Sequence, residues 1–262
     1  FLSFFFVLLH MLYSKKIVNS SSKEWCVFVH GAGGSSSIWF KQLKSYSENF
    51  NILLIDLRGH GKSKNLKPCN NYTVQMIAED VIEVVDYNKI TSAHFIGVSL
   101  GTIVIYQVYS IKPTLIKSMV FSGAITRLNI KSNILLKTGQ ILNPILPYMA
   151  LYSLLAKVIM PKKNHSTSRM IFIDEARKLM SKEFKRWFKL TSKLTAYLNN
   201  IKHEENDKPT LYIMGSEDHI FLEPVKKIIE INPKIKLNVV PNCGHVVNIE
   251  RAEIFNEISI NF

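Results

Sequence analysis

Cysteine is scarce in this 262-residue chain, which contains only Cys26, Cys69 and Cys243. Their spacing matches no metal site, and a sparse, odd set does not indicate a disulfide scaffold. The set favours reduced thiols and predicts a cytoplasmic protein. Cys243 lies two residues before His245, but it lacks recognisable activating neighbours, so it is interpreted as a small loop residue and not as a nucleophile.

Long apolar runs are also lacking. The apolar stretch within residues 1–13 is shorter than the roughly 20 residues that a membrane-spanning helix needs. Because it has no preceding basic region and no small-residue cleavage site, it is a poor signal peptide. We predict that residues 1–13 form the first strand of a sheet. A truncated membrane anchor is the alternative that the sequence leaves open.

Acidic residues are few, since 33 Lys and Arg stand against 20 Asp and Glu and give a formal charge of +13. Between Thr126 and Lys208 the counts are 16 and 6. This charge favours anionic partners. It is explained either by solvated helix faces or by a segment that attracts anionic substrates or lipid headgroups, which leaves membrane-surface contact open. No aromatic-interleaved basic ribbon or zinc spacing occurs, so a nucleic-acid partner is not predicted. Oligomeric state is not readable.

What the chain does contain is short apolar runs that alternate with helical periodicity, and this predicts βαβ units in a mostly parallel sheet flanked by helices. The alternation stops near residue 125 and resumes near residue 208. We therefore predict a core of residues 1–125 and 208–262 with a helical insertion of residues 126–207. Within the insertion, one long helix is predicted from Asp174 to about Leu198, and apolar helices interrupted by two prolines are predicted before it. Six runs are predicted as strands: residues 25–29, 50–56, 93–98, 117–122, 210–214 and 235–240.

A serine in the motif Gly97-Val98-Ser99-Leu100-Gly101 stands between a predicted strand and an apolar helix. A G-x-S-x-G motif at such a junction places the serine on a sharp turn with its hydroxyl exposed. Helix amides and the positive end of the helix dipole then point towards the same place. Ser99 is therefore the candidate nucleophile.

A serine hydroxyl needs a base that accepts its proton, and a carboxylate that orients that base. When the serine stands on such a strand-to-helix turn of a parallel sheet, the chain order is serine, then acid, then histidine. Asp218 and His245 supply that order, each on a loop just past a predicted strand. Glu217 is an alternative acid. His219 is an alternative base, but it adjoins Asp218, and adjacent loop residues generally point apart.

The motifs together resemble the α/β-hydrolase family with a helical cap, over nearly the whole chain. The resemblance rests on H-G-A-G-G at residues 30–34, D-L-R-G-H-G-K-S at 56–63, G-V-S-L-G at 97–101, G-S-E-D at 215–218 and C-G-H at 243–245. It implies an α/β-hydrolase fold in which residues 126–207 form the cap. It also implies an oxyanion hole made by the backbone N–H groups of Ala32 and Leu100.

The expected activity is hydrolysis of a carboxylic ester or related acyl substrate through an acyl-serine intermediate, as in a carboxylesterase. No metal or organic cofactor is expected. Gly31, Met160 and Trp187 are the candidate pocket residues, and a small apolar or anionic acyl compound is the expected substrate. The resemblance leaves open a thioesterase, lactonase, carbon–carbon bond hydrolase or cofactor-free haloperoxidase, and also a ligand-binding protein with little turnover.

Overall fold

A seven-stranded sheet forms the centre of the computed structural model, which describes residues 11–64, 66, 69, 71–232 and 234–262. The strands lie in the order β1-β3-β2-β4-β5-β6-β7, and every neighbouring pair except β1 and β3 is parallel. The strands are β1 (Ser14–Ile17), β2 (Trp25–Val29), β3 (Asn51–Ile55), β4 (Ala93–Val98), β5 (Ile116–Ser122), β6 (Thr210–Gly215) and β7 (Ile235–Val240).

Strand β1 lies at one edge of the sheet, antiparallel to β3, with Ser14 opposite Ile55. The sequence prediction places a first strand within residues 1–13. Residues 1–10 lie outside the described residues, and residues 11–13 are not part of a strand. Met11 and Leu12 are instead buried core residues. The sequence S-K-K-I of β1 lacks an apolar run because an edge strand needs only one neighbour and tolerates exposed lysines.

Alternate residues of the central strands point to opposite faces of the sheet, and each face has its own apolar core. Val27 and Val29 pack on one face, whereas Cys26 and Phe28 pack on the other. Helices cover both faces, which is why the parallel strands are apolar almost throughout. In the part of the chain that the structure describes, the α-helices outside residues 126–207 are α1 (Leu43–Ser47), α2 (Val74–Tyr87), α3 (Leu100–Ile111), α9 (Leu222–Ile229), α10 (Val247–Glu250) and α11 (Ala252–Ile260).

Five helices lie between β5 and β6, in a segment that is described throughout. A side-chain cap begins the first of them, since Asn129 accepts a hydrogen bond from the Ser132 N–H at 2.9 Å. The next helix begins directly after Pro147. The five helices are α4 (Ile130–Leu142), α5 (Tyr148–Ile159), α6 (Ser166–Ala176), α7 (Ser181–Thr191) and α8 (Leu194–Asn199).

The single long helix predicted from Asp174 to Leu198 is wrong, because α6, α7 and α8 occupy this region. The chain is extended at Met180, where ψ is 141°, and this ends the helical path before α7. The apolar periodicity nevertheless marks buried side chains on all three helices, such as Ala176, Trp187 and Leu198. Tertiary packing buries one continuous apolar surface without one continuous helix. The boundaries of the insertion stay predictions.

The parallel strands end at one edge of the sheet, which brings the loops after β2, β4, β6 and β7 together. Those loops carry the four groups of motif residues around Ala32, Ser99, Asp218 and His245. In the described part of the chain, no helix combines the length and apolar character needed to cross a bilayer.

Candidate active site

Ser99 occupies a sharp turn between β4 and α3 with a left-handed backbone, at φ 53° and ψ −121°. The turn can be this tight because Gly97 and Gly101, two positions away on either side, have no side chain. A Cβ on Gly101 would lie only 2.3 Å from the carbonyl oxygen of Val29. A positive φ is costly for a residue other than glycine, and such strain is typical of functional turns. The geometry holds the Ser99 hydroxyl at the carboxyl edge of the sheet.

His245 and Asp218 lie in line with Ser99. The Nε2 atom of His245 is 3.0 Å from the Ser99 Oγ, and its Nδ1 atom is 2.8 Å from the Asp218 Oδ2. A carboxylate only accepts hydrogen bonds, so the Nδ1–H of His245 donates to Asp218. Nε2 is then left to accept the hydroxyl proton of Ser99. The structure thus brings together the three residues that the sequence places far apart.

Burial and a second hydrogen bond hold the Asp218 carboxylate in place. Asp218 is 1% exposed, and its Oδ1 accepts the Phe221 N–H at 3.1 Å. The ring of Phe221 also lies against the ring of His245, with centroids 5.1 Å apart. These contacts restrict the orientation of the imidazole, as a catalytic base requires.

Ala32 and Leu100 line the same cavity as Ser99. Leu100 is the first residue of α3, so its N–H is not used by the helix. Gly31 brings the two loops together, because a Cβ there would lie 3.1 Å from the Ser99 Cβ and 3.8 Å from the Leu100 nitrogen. A residue of the helical insertion also contacts Ala32. The Tyr152 hydroxyl donates a hydrogen bond to the Ala32 carbonyl oxygen at 3.1 Å.

An apolar cavity of about 180 Å³ opens beside Ser99. Met160 and Trp187, both predicted for the pocket, line it. Gly31 was also predicted for the pocket, but it packs against the turn of Ser99 and is not among the described lining residues. Most of the lining comes from residues 126–207, including Leu135, Leu136, Leu155, Ile159, Phe172, Leu179, Phe184, Phe188 and Leu194.

Glu217 and His219, the alternative acid and base, face elsewhere. Glu217 accepts hydrogen bonds from Lys162 at 2.8 Å and Asn164 at 2.8 Å, and its carboxylate lies 2.7 Å from the Nε2 of His165. Hydrogen bonds from Asn164, Lys162 and His165 lower the pKa of Glu217 to about 2. His219 is exposed. Glu217 therefore ties the insertion to the loop of Asp218.

Cys243 is buried and free, and burial raises the pKa of its thiol well above the usual range. A buried thiol of raised pKa has little of the reactive thiolate. Cys243 thus suits the interpretation as a loop residue. Among the described residues, no group of three or more His, Cys, Asp or Glu side chains is arranged to hold a metal ion.

His30 and His60 fix the two loops behind the cavity. His30 Nε2 accepts the Leu57 N–H at 2.9 Å, so its Nδ1–H donates to the Gly31 carbonyl oxygen at 2.7 Å. His60 Nε2 accepts the Gly33 N–H at 3.0 Å. Burial lowers the pKa of both histidines, that of His60 to about 3. Both are therefore neutral structural residues near neutral pH.

Acid is expected to destabilise the protein through these two histidines. In the unfolded chain they gain protons below about pH 6.5, but in the folded protein His60 resists protonation down to about pH 3. The free energy of unfolding should fall as the pH drops through this window, by up to about 1.4 kcal/mol per pH unit for each histidine. Urea unfolding between pH 7.5 and 5 measures the slope. His60→Asn should reduce it, whereas exposed His219→Asn should not; equal slopes in both variants would contradict this account.

The sequence comparison decides the family. A sequence model of the alpha/beta hydrolase fold matches residues 25–252. The chain belongs to the alpha/beta hydrolase fold family. Among its relatives, 3-oxoadipate enol-lactonase 1 of Acinetobacter baylyi is 33% identical over 75 residues, which cover 29% of this chain and 27% of that enzyme. Alignments with the first curated relatives span only 35%, 30% and 36% of those proteins.

Solved structures share the fold over almost the whole chain. The enol-lactonase of Burkholderia xenovorans LB400 superposes with a TM-score of 0.80 at 19% identity, covering 95% of both chains. A hydrolase of Oleispira antarctica superposes with a TM-score of 0.85 at 16% identity, covering 97% of this chain and 95% of that one. At these identities the superpositions show the shared fold.

Proposed function

We propose that this family member is a serine hydrolase that cleaves carboxylic esters with an apolar acyl chain. The observation that carries the proposal is the line of hydrogen bonds from Ser99 through His245 to Asp218, beside an apolar cavity. A histidine that accepts from a serine and donates to a buried carboxylate is the arrangement that activates a serine nucleophile.

In the first half of the proposed reaction, Ser99 Oγ attacks the ester carbonyl carbon while His245 Nε2 takes its proton. The carbonyl π electrons move to the oxygen, which accepts hydrogen bonds from the backbone N–H groups of Ala32 and Leu100. When the carbonyl re-forms, the alcohol leaves with the proton from His245. Loss of one such oxyanion donor typically raises the barrier by about 3–4 kcal/mol.

Hydrolysis of the acyl-serine completes the cycle. His245 Nε2 takes a proton from water, and the resulting hydroxyl adds to the acyl carbon. Collapse of this second intermediate releases the carboxylic acid and returns the proton to Ser99 Oγ. Throughout, Asp218 keeps the Nδ1–H of His245 oriented and stabilises the imidazolium that forms twice in each turnover.

The cavity supports an apolar acyl chain as the group that is bound. Its described lining contains no Asp, Glu, Lys or Arg, although residues 126–207 are strongly basic. An apolar cavity of about 150 Å³ holds a molecule such as benzene, so about 180 Å³ suits a chain of roughly six to eight carbons. An anionic group on the substrate would therefore lie outside this cavity.

A panel of p-nitrophenyl esters of increasing acyl length tests the proposed substrate class. Each added methylene is worth about 0.8 kcal/mol when buried, so kcat/KM should rise about fourfold per carbon until the cavity is full. Beyond roughly eight carbons it should level off or fall. A profile that is flat from two to ten carbons would contradict acyl-chain binding in this cavity.

Two neighbouring leucines of α5 make a matched pair for the same panel. Leu155 lines the cavity, whereas Leu154 is 41% exposed. Leu155→Trp should shift the preferred chain to shorter esters by filling part of the cavity. Leu154→Trp should leave the profile as in the wild-type protein. An equal shift in both variants would place the acyl chain elsewhere.

A lactonase is the second candidate function, because relatives from Acinetobacter baylyi and Burkholderia xenovorans are named enol-lactonases. The same acyl-serine steps open a lactone, except that the leaving alcohol stays attached to the acyl chain. Adding lactones of matched carbon number to the ester panel compares the two. A higher kcat/KM for the lactones would favour the second candidate.

We further propose that residues 126–207 act as a cap over the active site. Tyr152, Met160 and Trp187 support this, because they belong to that segment and line the cavity that contains Ser99. Trp187 also donates from its ring N–H to the Arg58 carbonyl oxygen at 2.9 Å.

A cytoplasmic location stays a proposal. It is supported by the three cysteines, none of which forms a disulfide.

A further inference from the structure

Helix α4 exposes a row of isoleucines. Ile130, Ile134 and Ile141 are 80%, 59% and 68% exposed, and Ile145 just beyond the helix is 71% exposed. Spacings of four and seven residues place the three helical isoleucines on one side of α4. We call these four residues the isoleucine face. Single exposed apolar residues are common, whereas exposed apolar residues grouped on one face make that face a candidate interaction site.

Positive charge accompanies the isoleucine face. The chain contains no Asp or Glu between Asp86 and Asp174. Lys131 and Lys137 lie exposed on α4 itself, and Lys157 lies exposed on the neighbouring α5. None of these three lysines takes part in an ion pair with any residue that the structure describes. The face is thus complementary to a surface that is apolar and negatively charged.

The opposite side of α4 faces the protein interior. Ser132, Leu135 and Leu136 line the cavity beside Ser99. Gly139 packs against α7, since a Cβ there would lie 2.8 Å from the ring of Phe188. The exposed isoleucines therefore have no role in packing α4 onto the protein.

We propose that the isoleucine face docks on anionic phospholipid membranes, with the isoleucines entering the boundary of the acyl chains and the lysines contacting headgroup phosphates. Surface helices that expose an apolar face beside lysines bind anionic membranes in this way. A second copy of the chain fits less well, because its lysines would meet like charges. Docking requires no catalysis, so it stands or falls separately from the proposed function.

Cosedimentation with vesicles tests the docking. The full chain should bind phosphatidylcholine–phosphatidylserine vesicles and bind pure phosphatidylcholine vesicles at least about tenfold more weakly. The double variant Ile134→Asp/Ile141→Asp should lower the partition coefficient at least about tenfold, and so should Lys131→Glu/Lys137→Glu. Hydrolysis of a short, soluble ester should be unchanged in both, which shows that the variants are folded.

Matched controls lie elsewhere on the surface. Val18 and Ile231 are 67% and 55% exposed, so Val18→Asp/Ile231→Asp removes comparable apolar surface and should leave vesicle binding unchanged. Lys15→Glu/Lys16→Glu in β1 makes the same change of charge as Lys131→Glu/Lys137→Glu. It should lower vesicle binding less than that variant does. The control variants thus separate a specific face from general charge or hydrophobicity.

Four outcomes would overturn the proposal. The first is an absence of vesicle binding by the wild-type chain, as expected if the face binds an acidic protein. The second is equal binding to neutral and anionic vesicles. The third is unchanged binding in Ile134→Asp/Ile141→Asp, which would move the membrane contact to another segment such as residues 1–13. The fourth is a wild-type dimer in sedimentation velocity that this variant dissociates.

Discussion

Ser99→Ala is expected to lower kcat for p-nitrophenyl ester hydrolysis at least about 10⁴-fold, because the attacking oxygen is removed while the cavity remains. The thermal melting temperature should stay within about 3 °C of the wild-type value. Alanine keeps the same left-handed backbone at φ 53°, so the strain of the turn is unchanged. Initial rates and differential scanning fluorimetry on the same preparations measure both quantities.

Ser132→Ala is the matched control for the nucleophile. Ser132 lines the same cavity, but its hydroxyl donates to the Asn129 carbonyl oxygen at 3.0 Å and has no contact with His245. Its loss should change kcat by less than about tenfold. Full turnover in Ser99→Ala would remove Ser99 from the mechanism, whatever the control shows.

The neighbouring carboxylates Asp218 and Glu217 should differ strongly when each is replaced by its amide. Asp218→Asn should lower kcat about 10⁴-fold, because the amide can donate a hydrogen bond to Nδ1 and favour the wrong tautomer of His245. Glu217→Gln should leave kcat within about tenfold of wild type. Glu217→Gln weakens the contacts with Lys162 and His165 that join the insertion to the core. We therefore expect it to lower the free energy of unfolding and not the rate of catalysis.

The pH profile of kcat/KM separates these two effects further. Loss of the base orientation in Asp218→Asn should alter the acid limb of the profile, which reports the base of the free enzyme. Glu217→Gln should keep the wild-type profile even if the protein melts earlier. If Glu217→Gln were the inactive variant and Asp218→Asn the active one, the carboxylate of the triad would have been assigned to the wrong residue.

The six parallel strands were predictable because their physical signal is local. Strands β2, β4 and β7 have the predicted bounds, β5 and β6 differ from prediction by one residue at one end, and β3 is one residue shorter at each end. Parallel strands covered on both faces must be apolar throughout, and turn residues must follow them. The same reasoning predicts that the loops with Ser99, Asp218 and His245 lie at one edge of the sheet, because each follows a parallel strand.

Strand β1 and helices α6 to α8 lacked such a signal. Polar S-K-K-I pairs with β3 because of backbone hydrogen bonding at the sheet edge, which side-chain periodicity does not encode. The break at Met180 falls in a continuous apolar pattern. It depends on how α7 packs onto the core, where Trp187 reaches the loop of Arg58. Local propensity is a weak guide where tertiary packing decides.

Several contacts of the candidate site were also beyond prediction, because no sequence motif marks the insertion residues that make them. Tyr152 holds the Ala32 loop from 120 positions away, and His165 meets Glu217 across 52. His30 and His60 belong to motifs that the sequence shows, but the backbone groups they bind are known only from the folded geometry. Motif reading identifies the reacting groups more easily than the residues that position them.

The most direct test of the account is to map the site of a fluorophosphonate adduct by peptide mass spectrometry. The account predicts a single adduct on Ser99, formed in wild type and greatly slowed in His245→Ala. Retention of the label in Ser99→Ala, or an adduct on a residue other than Ser99 in the wild-type protein, would contradict an activated Ser99.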